Sequence, residues 1–391
     1  MRVLLAAQRF PPAIGGVDRH VRALAERLPS EGIDPVVVTS DLRTPRPWTR
    51  FTPSELPPAD RYPVFRHRPY PVLPLPNDLG VVAPGMLRRL LSEPATLVHA
   101  HGFAQFPTWA GALATSLRRI PLVVTPHSDP GRPRWGRATF DAVVRWGTLG
   151  RARRVVAETE MEREFLLRIG VPRDRLRVIP GAIDLPTGPL VAPRDPPPGT
   201  PIRVLFVGRV DMDQKGVDVL LAAAERLSRR RDLEWRIVGE IWVPPRLLAS
   251  RLARLPPSVR WVVTGRRSDL EMDREYRTAD MLVIPSRFEP FGLVLLEGMA
   301  RGLPIIASRV GGMPEIADQS GAVLWVPPGD STALAEAIER LADDPALRRQ
   351  LGSSGPAAPR RFAGNDGSPR SLGSTRKPSP KVEPGPGGGQ A

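Results

Sequence analysis

The sequence predicts an α/β protein with two tandem doubly wound domains and a disordered C-terminal tail. Short, continuous apolar runs rich in β-branched residues alternate with helical patterns along most of the chain. This alternation is typical of a parallel sheet covered by helices on both faces. It stops at a proline-rich segment and then restarts, which indicates two domains. The 391 residues, 41% of them hydrophobic, are enough for two ordinary cores.

The N-terminal domain is predicted to span residues 1–184. Its expected strands are Val3–Ala6, Pro35–Thr39, Thr96–Ala100, Pro121–Thr125, Arg154–Ala157 and Leu176–Ile179. Its expected helices are His20–Leu28, Pro84–Ser92, Gln105–Leu117 and Glu160–Ile169. The last helix follows Thr159, and Glu162 comes three residues after that threonine, which is the spacing of a capping box.

Residues 185–201 contain seven prolines, so they cannot form a regular helix or an interior strand and are predicted to be a stiff linker. The second domain, residues 202–350, has expected strands at Arg203–Val207, Trp235–Val238, Val259–Val263, Met281–Ile284, Pro304–Ala307 and Ala322–Trp325. Its expected helices are Val217–Arg229, Leu270–Thr278, Gly292–Arg301 and Thr332–Ala342. Residues 351–391 are rich in Gly, Pro and Ser and are predicted to be disordered.

The composition narrows the possible functions. The chain has no cysteine, which excludes disulfides, zinc–thiolate sites and a cysteine nucleophile. The 56 basic and 41 acidic residues give a net charge of +15, which attracts nucleic acid, anionic lipid or phosphorylated small molecules. The first apolar run is too short for a secretory signal and no later run approaches a membrane span, so a cytoplasmic location is expected.

Two cations follow the first strand of the second domain. The strand is predicted to end near Arg209, and Lys215 precedes the next helix, so both side chains emerge at the carboxyl end of the sheet. Ligands bind at that edge in doubly wound sheets. A guanidinium and an ammonium together suit a diphosphate. Asp211 and Asp213 superficially resemble a metal-binding pair, but no further ligand accompanies them, and they are interpreted as solvated loop residues.

Two glutamates bracket an apolar run in the segment "EPFGLVLLE". Pro290 favours a helix start, which places Glu289 on the loop at the helix N-terminus and Glu297 about two turns into the helix. Carboxylates in these positions can accept hydrogen bonds from sugar hydroxyls. The backbone amides near Phe291, Gly292 and Leu293 are expected to form an anion site at the helix end, approached closely at the glycine.

The first domain also has candidate residues just after the carboxyl ends of its predicted strands. Gly15-Gly16 follows the first strand and precedes a helix, which suggests a second loop that a phosphate can approach closely. His101 and His127 lie just past the carboxyl ends of their predicted strands. A lone histidine is more often structural, but His127 stands beside Ser128 and Asp129 at a strand tip, which favours a functional role.

Together these residues resemble a known family. The string from Glu289 to Glu297 resembles the E-x7-E signature of family-4 retaining glycosyltransferases, which have the GT-B fold. The supporting matches, in chain order, are Pro12 with Gly15-Gly16, His127, "VIPGAID" at 178–184, "GR…KG" at 208–216, "VIPSRFEPFG" at 283–292 and "GGMPEI" at 311–316.

The resemblance implies two Rossmann-like domains that face each other across a cleft, and a nucleotide-diphosphate sugar as donor. It implies that Arg209 and Lys215 hold the donor diphosphate. Glu289 would bind the donor-sugar hydroxyls with the Phe291–Leu293 amides, and Glu297 would accept hydrogen bonds from the ribose.

The remaining site residues follow from the same resemblance. Gly16 would lie against the donor phosphate or the acceptor, and His127 would contact the sugar near the reacting carbon. The base would rest near Gly265-Arg266-Arg267. Transfer would retain the anomeric configuration by front-face substitution, with no metal and no cofactor. The donor would be of the GDP-mannose or UDP-glucose type, and the acceptor a glycan or a lipid-linked molecule.

Alternatives stay open at this level. A sugar-nucleotide epimerase shares the fold, and the tail stands where the family usually has a helix that crosses back to the first domain, which allows an inactive relic. The family often has Asn-Gly where this chain has Gly181-Ala182. A nucleic-acid-binding protein would fit the charge, but the basic residues are dispersed and no binding motif is found, so no nucleic-acid partner is expected.

Contact with an anionic membrane is a further expectation. The segment Pro84–Pro94 is amphipathic and basic, and Arg151, Arg153 and Arg154 cluster elsewhere in the first domain. Either surface suits peripheral contact with anionic lipid. Helices with solvated polar faces are the alternative interpretation of the same pattern.

Overall fold

The computed structural model describes residues 1–13, 15–45, 48–57, 61–73, 79–128, 137–186, 196, 199–356 and 362. The elements of the first half are β1 Arg2–Ala6, α1 Gly16–Arg27, β2 Asp34–Ser40, β3 Leu42–Pro45, β4 Trp48–Arg50, β5 Val64–His67, β6 Tyr70–Pro71, β7 Val81–Val82, α2 Pro84–Ser92, β8 Leu97–His101, α3 Phe106–Arg118, β9 Leu122–Thr125, α4 Arg137–Gly147, β10 Arg154–Ala157, α5 Glu160–Arg168 and β11 Leu176–Val178.

Seven of these strands form one parallel sheet in the order β11-β10-β9-β8-β1-β2-β5. Apolar clusters cover both faces of this sheet. The larger cluster includes the fully buried Leu4, Val98 and Val124, and the smaller one includes Val3 and Leu5. Because β1 sends alternate residues to each cluster, its continuous apolar run is explained by burial on both sides.

The second half of the chain also forms a parallel sheet from alternating strands and helices. Its elements are β12 Ile202–Val207, α6 Val217–Arg226, β13 Leu233–Val238, α7 Pro245–Ala253, β14 Arg260–Gly265, α8 Asp269–Thr278, β15 Met281–Ile284, α9 Leu293–Met299, β16 Ile305–Ser308, α10 Met313–Ala317, β17 Val323–Val326, α11 Ser331–Asp343 and α12 Pro345–Ser354. The strands form a six-stranded parallel sheet in the order β14-β13-β12-β15-β16-β17. The predicted fold class of two Rossmann-like parallel-sheet domains is therefore confirmed.

The predicted start of the tail at Leu351 is wrong by several residues. Helix α12 continues to Ser354, and Leu351 is 5% exposed in the core of the second domain. Phe362 also packs: its carbonyl accepts the amide of Ile183 at 3.0 Å, and its ring meets that of Phe291 edge-on at 5.9 Å. Residues 357–361 and 363–391 of the predicted tail, and most of the predicted linker, lie outside the described residues.

No helix in the described part of the chain is long and apolar enough to cross a membrane. The amphipathic segment predicted at Pro84–Pro94 forms α2, but its residues Met86 and Leu90 are fully buried in the core of the first domain. Arg89 lies over the Phe65 ring at 3.7 Å and pairs with Glu93 at 3.1 Å. The apolar face of α2 is thus covered by the protein itself, which favours the interpretation of a helix with a solvated polar face.

A carboxylate of the second domain caps a helix of the first. Glu315, on α10, accepts the backbone amides of Glu160 at 2.8 Å and Met161 at 2.7 Å. These amides belong to the first turn of α5, where no partner is available within the helix. The cap joins the two domains beside the carboxyl edge of the first sheet.

Replacing Glu315 by alanine is expected to loosen this junction. Loss of a helix cap costs about 1 kcal/mol, so the Glu160 and Met161 amides should exchange with deuterium several-fold faster than in the parent protein. Hydrogen-exchange mass spectrometry measures this, with exposed Glu225→Ala on α6 as the matched control. Unchanged exchange in the α5 peptide would contradict the assigned role.

Candidate functional site

The predicted diphosphate-binding residues lie where the strand order of the second sheet reverses. From β12 the chain builds β13 and β14 to one side, whereas β15, β16 and β17 lie on the other. The loops after β12 and β15 therefore diverge and leave a crevice, which is the usual ligand position in such sheets. The first loop carries Arg209 and Lys215, and the second carries Glu289.

Lys215 and Glu289 form an ion pair across this crevice, with 14% of each side chain exposed. The two loops are also tied by their backbones, since the amide of Arg287 donates to the carbonyl of Gln214 at 2.9 Å. Gly216 makes this approach possible. It has φ 66°, and a Cβ there would lie 2.0 Å from the Pro285 carbonyl oxygen. Glycine is thus required immediately after the lysine.

Arg209 stands on an aromatic platform. Its guanidinium carbon lies 4.3 Å from the centroid of Trp242, and its Nη2 donates to the Gln214 side chain at 2.8 Å. Arg9 of the first domain reaches the same indole, at 4.6 Å. Trp242 is 8% exposed. Its ring attracts both guanidinium groups by cation–π interaction at the domain boundary. With Lys215 nearby, three positive groups face this region.

Arg9 and Trp242 were missed by the sequence analysis. Arg9 follows β1 by three residues, and Trp242 follows β13 by four, so both are on loops beyond the carboxyl ends of strands. Composition gives a clearer signal for Lys215. The chain contains only three lysines, and the other two, Lys377 and Lys381, are in the predicted tail. Every other basic residue of the Lys/Arg type before position 377 is arginine, which indicates that a lysine is specifically required at position 215.

The segment after β15 differs from the prediction in one respect. Helix α9 begins at Leu293, one residue after the predicted Gly292 and three after Pro290, because the N-cap Gly292 has φ 105° and so cannot continue a right-handed helix. Glu289 therefore lies on a loop three residues before the N-cap. Phe291 is 4% exposed, and its ring would be 3.0 Å from a Cβ at Gly181, so its side chain packs the loop against the first domain.

Glu297 is held by residues of both domains. Its Oε2 accepts the Tyr276 hydroxyl at 2.6 Å, and its Oε1 pairs with Arg19 on α1. Burial and the Glu297 carboxylate raise the pKa of Tyr276 well above its usual value, so the phenol remains a hydrogen-bond donor. Coulombic attraction to Glu297 outweighs burial and raises the pKa of Arg19. Any ribose bound by Glu297 would have to compete with these partners.

The other predicted residues take different positions. Gly16 is the first residue of α1, and a Cβ there would make ordinary contact with Leu293 Cδ1 at 3.7 Å. Arg266 is exposed at the end of the edge strand β14, two strands away from β12. Asp211 accepts the Gln214 amide at 2.8 Å, which is a local turn interaction. The metal-binding interpretation of Asp211 and Asp213 gains nothing from this geometry.

Four of the five histidines gather at the carboxyl edge of the first sheet. His127 follows β9 with φ 49°, and its Nδ1 lies 2.8 Å from Glu158 Oε2. Its Nε2 lies 3.2 Å from Nδ1 of His101, the last residue of β8. The ring of His20, on α1, is 5.1 Å from that of His127, and the ring of His99 is 4.2 Å from that of His101.

Burial and charge shift the pKa values of these imidazoles in different directions. Burial lowers the pKa of His20 to about 4 and of His99 to about 3, and it lowers that of His101 well below its usual value. Burial also acts on His127, but attraction and a hydrogen bond to Glu158 outweigh it and raise the pKa of His127. His127 is therefore the cluster member that most readily carries a positive charge.

Glu162 braces the loop that carries His127. Its Oε1 accepts the amide of Ser128 at 2.6 Å and the hydroxyl at 2.8 Å, and its Oε2 accepts the Glu158 amide at 2.8 Å. Thr159 caps α5 as predicted, by accepting the Glu162 amide at 3.0 Å. In a capping box the Glu162 carboxylate would accept the Thr159 amide, but here it accepts hydrogen bonds from Ser128 and Glu158. Burial and repulsion from Glu158 raise the pKa of Glu162 to about 7.

Helix α1 connects the two groups of residues. Arg19 pairs with Glu297 of the second domain, and the next residue, His20, contacts the histidine cluster and lies 3.7 Å from Glu158 Oε1. The predicted residues Lys215, Glu289 and Arg209 thus form one group, Glu297 is tied to α1, and His127 belongs to the group across the domain boundary.

The arginines predicted to cluster in the first domain line a separate cavity. Arg151, Arg153 and Arg154 surround about 450 Å³ together with Arg119 and Arg175. These residues precede or begin β9, β10 and β11, so the cavity lies at the amino ends of the strands, opposite the histidine edge. It has the charge to attract an anion but does not belong to the site described above.

Replacing Glu158 by glutamine is expected to lower the pKa of His127 below its ordinary value of 6.5, because burial then acts without the opposing carboxylate. An NMR titration of the histidine ring protons measures the midpoint. Glu164→Gln, at an exposed position on the following helix α5, is the matched control and should leave the midpoint unchanged. Equal midpoints in both variants would contradict the assignment.

Comparisons with known proteins agree with the two-domain fold. The family model described as "Glycosyltransferase Family 4" matches residues 14–186, and "Glycosyl transferases group 1" matches residues 201–344. An alpha-maltose-1-phosphate synthase from Mycobacterium tuberculosis is 30% identical over 387 residues, covering 91% of this chain and 93% of the relative. An alpha-D-kanosaminyltransferase from Streptomyces kanamyceticus is 30% identical, covering 87% and 93%.

A solved structure shows the same architecture. HepE from Anabaena, crystallised with UDP-glucose, superposes with a TM-score of 0.69 at 20% identity, covering 93% of this chain and 96% of that one. The fold is therefore GT-B, as the sequence implied. The two matched domain models and the near-complete coverage of relatives at 30% identity show that the chain belongs to glycosyltransferase family 4.

Proposed function

We propose that the protein is a retaining hexosyltransferase that moves a sugar from a nucleotide-diphosphate donor to a glycan or lipid-linked acceptor. The observation that carries this proposal is the gathering of Arg209, Lys215 and Glu289 at the strand-order reversal of the second sheet. A crevice with this charge suits a diphosphate with a sugar attached.

The donor diphosphate is assigned to Lys215 and Arg209. On binding, the phosphate oxygens replace Glu289 as the partner of the Lys215 ammonium, and the freed carboxylate accepts hydrogen bonds from the sugar hydroxyls. Arg9, which shares the Trp242 platform with Arg209, adds positive charge from the first domain. The amides of Phe291, Gly292 and Leu293 are proposed to assist Glu289.

The nucleoside is assigned to the neighbouring part of the crevice. Glu297 accepts hydrogen bonds from the ribose hydroxyls in place of its present partner Arg19, while Tyr276 keeps the carboxylate oriented. Arg266 is placed near the base. Gly16, where an added Cβ would reach Leu293 of the second domain, is proposed to lie against the donor phosphate or the acceptor.

The proposed chemistry is front-face substitution. The bond between the anomeric carbon and the diphosphate oxygen breaks, and the acceptor hydroxyl oxygen bonds to the same face of that carbon. The acceptor proton passes to the leaving phosphate oxygen. Lys215 and Arg209 stabilise the charge that develops on this phosphate. His127, held by Glu158, is proposed to donate a hydrogen bond to the sugar in place of its contact with His101. No metal or cofactor is assigned a step.

The donor is proposed to be of the GDP-mannose or UDP-glucose type. The two relatives named above carry names that refer to different sugars, so the nucleotide and hexose are assigned only to this class. Transfer is proposed to take place in the cytoplasm, with peripheral contact to an anionic membrane surface near the arginine-lined cavity. No nucleic-acid partner is proposed; a salt-dependent DNA mobility shift would contradict that assignment.

A thermal-shift panel of UDP, GDP, ADP and their sugars tests the proposal first, because a ligand that binds only the folded protein raises Tm. With the preferred donor, Lys215→Ala is expected to lower transfer at least about 100-fold, since charge stabilisation at the leaving phosphate is lost. Glu297→Ala is expected to abolish detectable transfer by releasing the ribose.

Two control variants accompany this measurement. Lys377→Ala matches the lysine change and Glu336→Ala matches the glutamate change, and both should transfer sugar at the parent rate. Normal turnover in Lys215→Ala or Glu297→Ala would refute the assigned roles. A product in which the donor sugar is epimerised instead of transferred would support the epimerase alternative.

A further inference from the structure

The histidine cluster has a property that the proposed transfer reaction does not use. His20, His101 and His127 each offer one ring nitrogen, and these three atoms lie within 4.8 Å of one another. Among the residues that the structure describes, this is the one group of histidine and acidic side chains with such convergence. The three histidines come from α1, from the end of β8 and from the loop after β9, so three separate elements supply them.

The spacing is close to that of a metal site. Ring nitrogens bound to tetrahedral zinc at about 2.0–2.1 Å are about 3.4 Å apart. Nδ1 of His101 and Nε2 of His127 are already 3.2 Å apart. The third nitrogen needs to approach by about 1 Å, which a small rotation of an imidazole accomplishes. Little reorganisation is therefore required.

The surroundings supply the outer partners of such a site. Histidines that bind a metal usually donate their other ring N–H to a carboxylate, which fixes the tautomer and the ring orientation. Glu158 is such a carboxylate for His127, whose Nδ1 lies 2.8 Å from Glu158 Oε2. The second oxygen, Oε1, lies 3.7 Å from His20 Nδ1. One buried carboxylate thus faces two of the three imidazoles.

The third histidine lacks this kind of support. His101 is 1% exposed, and its Nε2 has no hydrogen-bond partner among the described residues. The nitrogen that faces His127, and that a metal would bind, is the other one, Nδ1. The proposed site therefore rests on the spacing of the three nitrogens and on the position of Glu158.

We propose that His20, His101 and His127 bind a transition-metal ion of the zinc class, with Glu158 as the outer carboxylate. Three neutral nitrogen ligands suit Zn²⁺ or Co²⁺ and do not suit Mg²⁺ or Ca²⁺, which prefer oxygen. The ion would occupy His127 and so prevent its contact with the donor sugar. The metal is therefore an inhibitor of transfer; this last consequence rests on the proposed function.

Cobalt titration of the metal-free full-length protein tests the site directly. Co²⁺ should bind with a stoichiometry of one, give the intense visible absorption of a low-coordinate cobalt site, and be displaced by Zn²⁺. His20→Asn and His101→Asn should abolish the absorption. Glu158→Gln should weaken binding about 10- to 100-fold, as loss of an outer carboxylate does at other metal sites.

His67→Gln is the matched control, because His67 lies on β5, outside the cluster. It should bind cobalt like the parent protein. Absence of the absorption in the parent protein, or its persistence in both His20→Asn and His101→Asn, would overturn the proposal. If one of these variants unfolds, the other and Glu158→Gln still decide the outcome, and thermal unfolding identifies such a case.

This test is independent of the proposed function because the absorption is measured without any sugar donor. An active transferase that binds no cobalt would overturn the metal site alone. A protein that binds cobalt but transfers no sugar would support the metal site and contradict the proposed function.

Discussion

The ion pair between Lys215 and Glu289 is the interaction on which the rest of the site depends. Both side chains are mostly buried, and removal of two opposite charges from water costs several kcal/mol that their attraction only partly repays. A pair of this kind contributes little to stability by itself. It keeps a cation and a carboxylate ready at the point where the strand order reverses, and an anionic ligand can exchange with the carboxylate at small cost.

The position of that pair follows from the two parallel sheets. Because the chain turns in opposite directions after β12 and β15, their loops separate and leave room beyond the strand ends. The first sheet has the same reversal between β1 and β8, and Arg9, His101 and α1 lie near it. Arg19 and Arg9 cross to the second domain, where they meet Glu297 and Trp242. Charged and aromatic groups therefore take part in the contact between the domains.

Much of the fold and of the candidate site could be predicted from the sequence, because the strands are continuous apolar runs and the candidate site loops follow them directly. Met281–Ile284 and Pro84–Ser92 were predicted with their observed bounds. Helices α4, α7 and α10 were not predicted; α7 begins with proline and contains two arginines, which obscure its apolar periodicity. The predicted start of α9 at Gly292 is one residue from the observed start at Leu293, because the left-handed Gly292 is the N-cap.

The contacts between domains could not be predicted in the same way. The pairing of Arg19 with Glu297 joins residues 278 positions apart, and it depends on how two separately folded units pack. The convergence of four histidines depends on the register of β8 against β9, which places His101 beside Thr125. Spacing along the sequence carries no information on such distances. Only the single lysine before the tail was a compositional sign that could have been recognised earlier.

The contribution of the second phosphate to nucleotide affinity is the most direct test of the role proposed for Lys215. Isothermal titration with the preferred nucleoside diphosphate and its monophosphate isolates the contribution of that group. If Lys215 exchanges Glu289 for a phosphate, the diphosphate should bind at least about tenfold more tightly, as charge-assisted hydrogen bonds require. The advantage should also shrink with rising salt. Equal affinities for the two nucleotides would contradict the central claim.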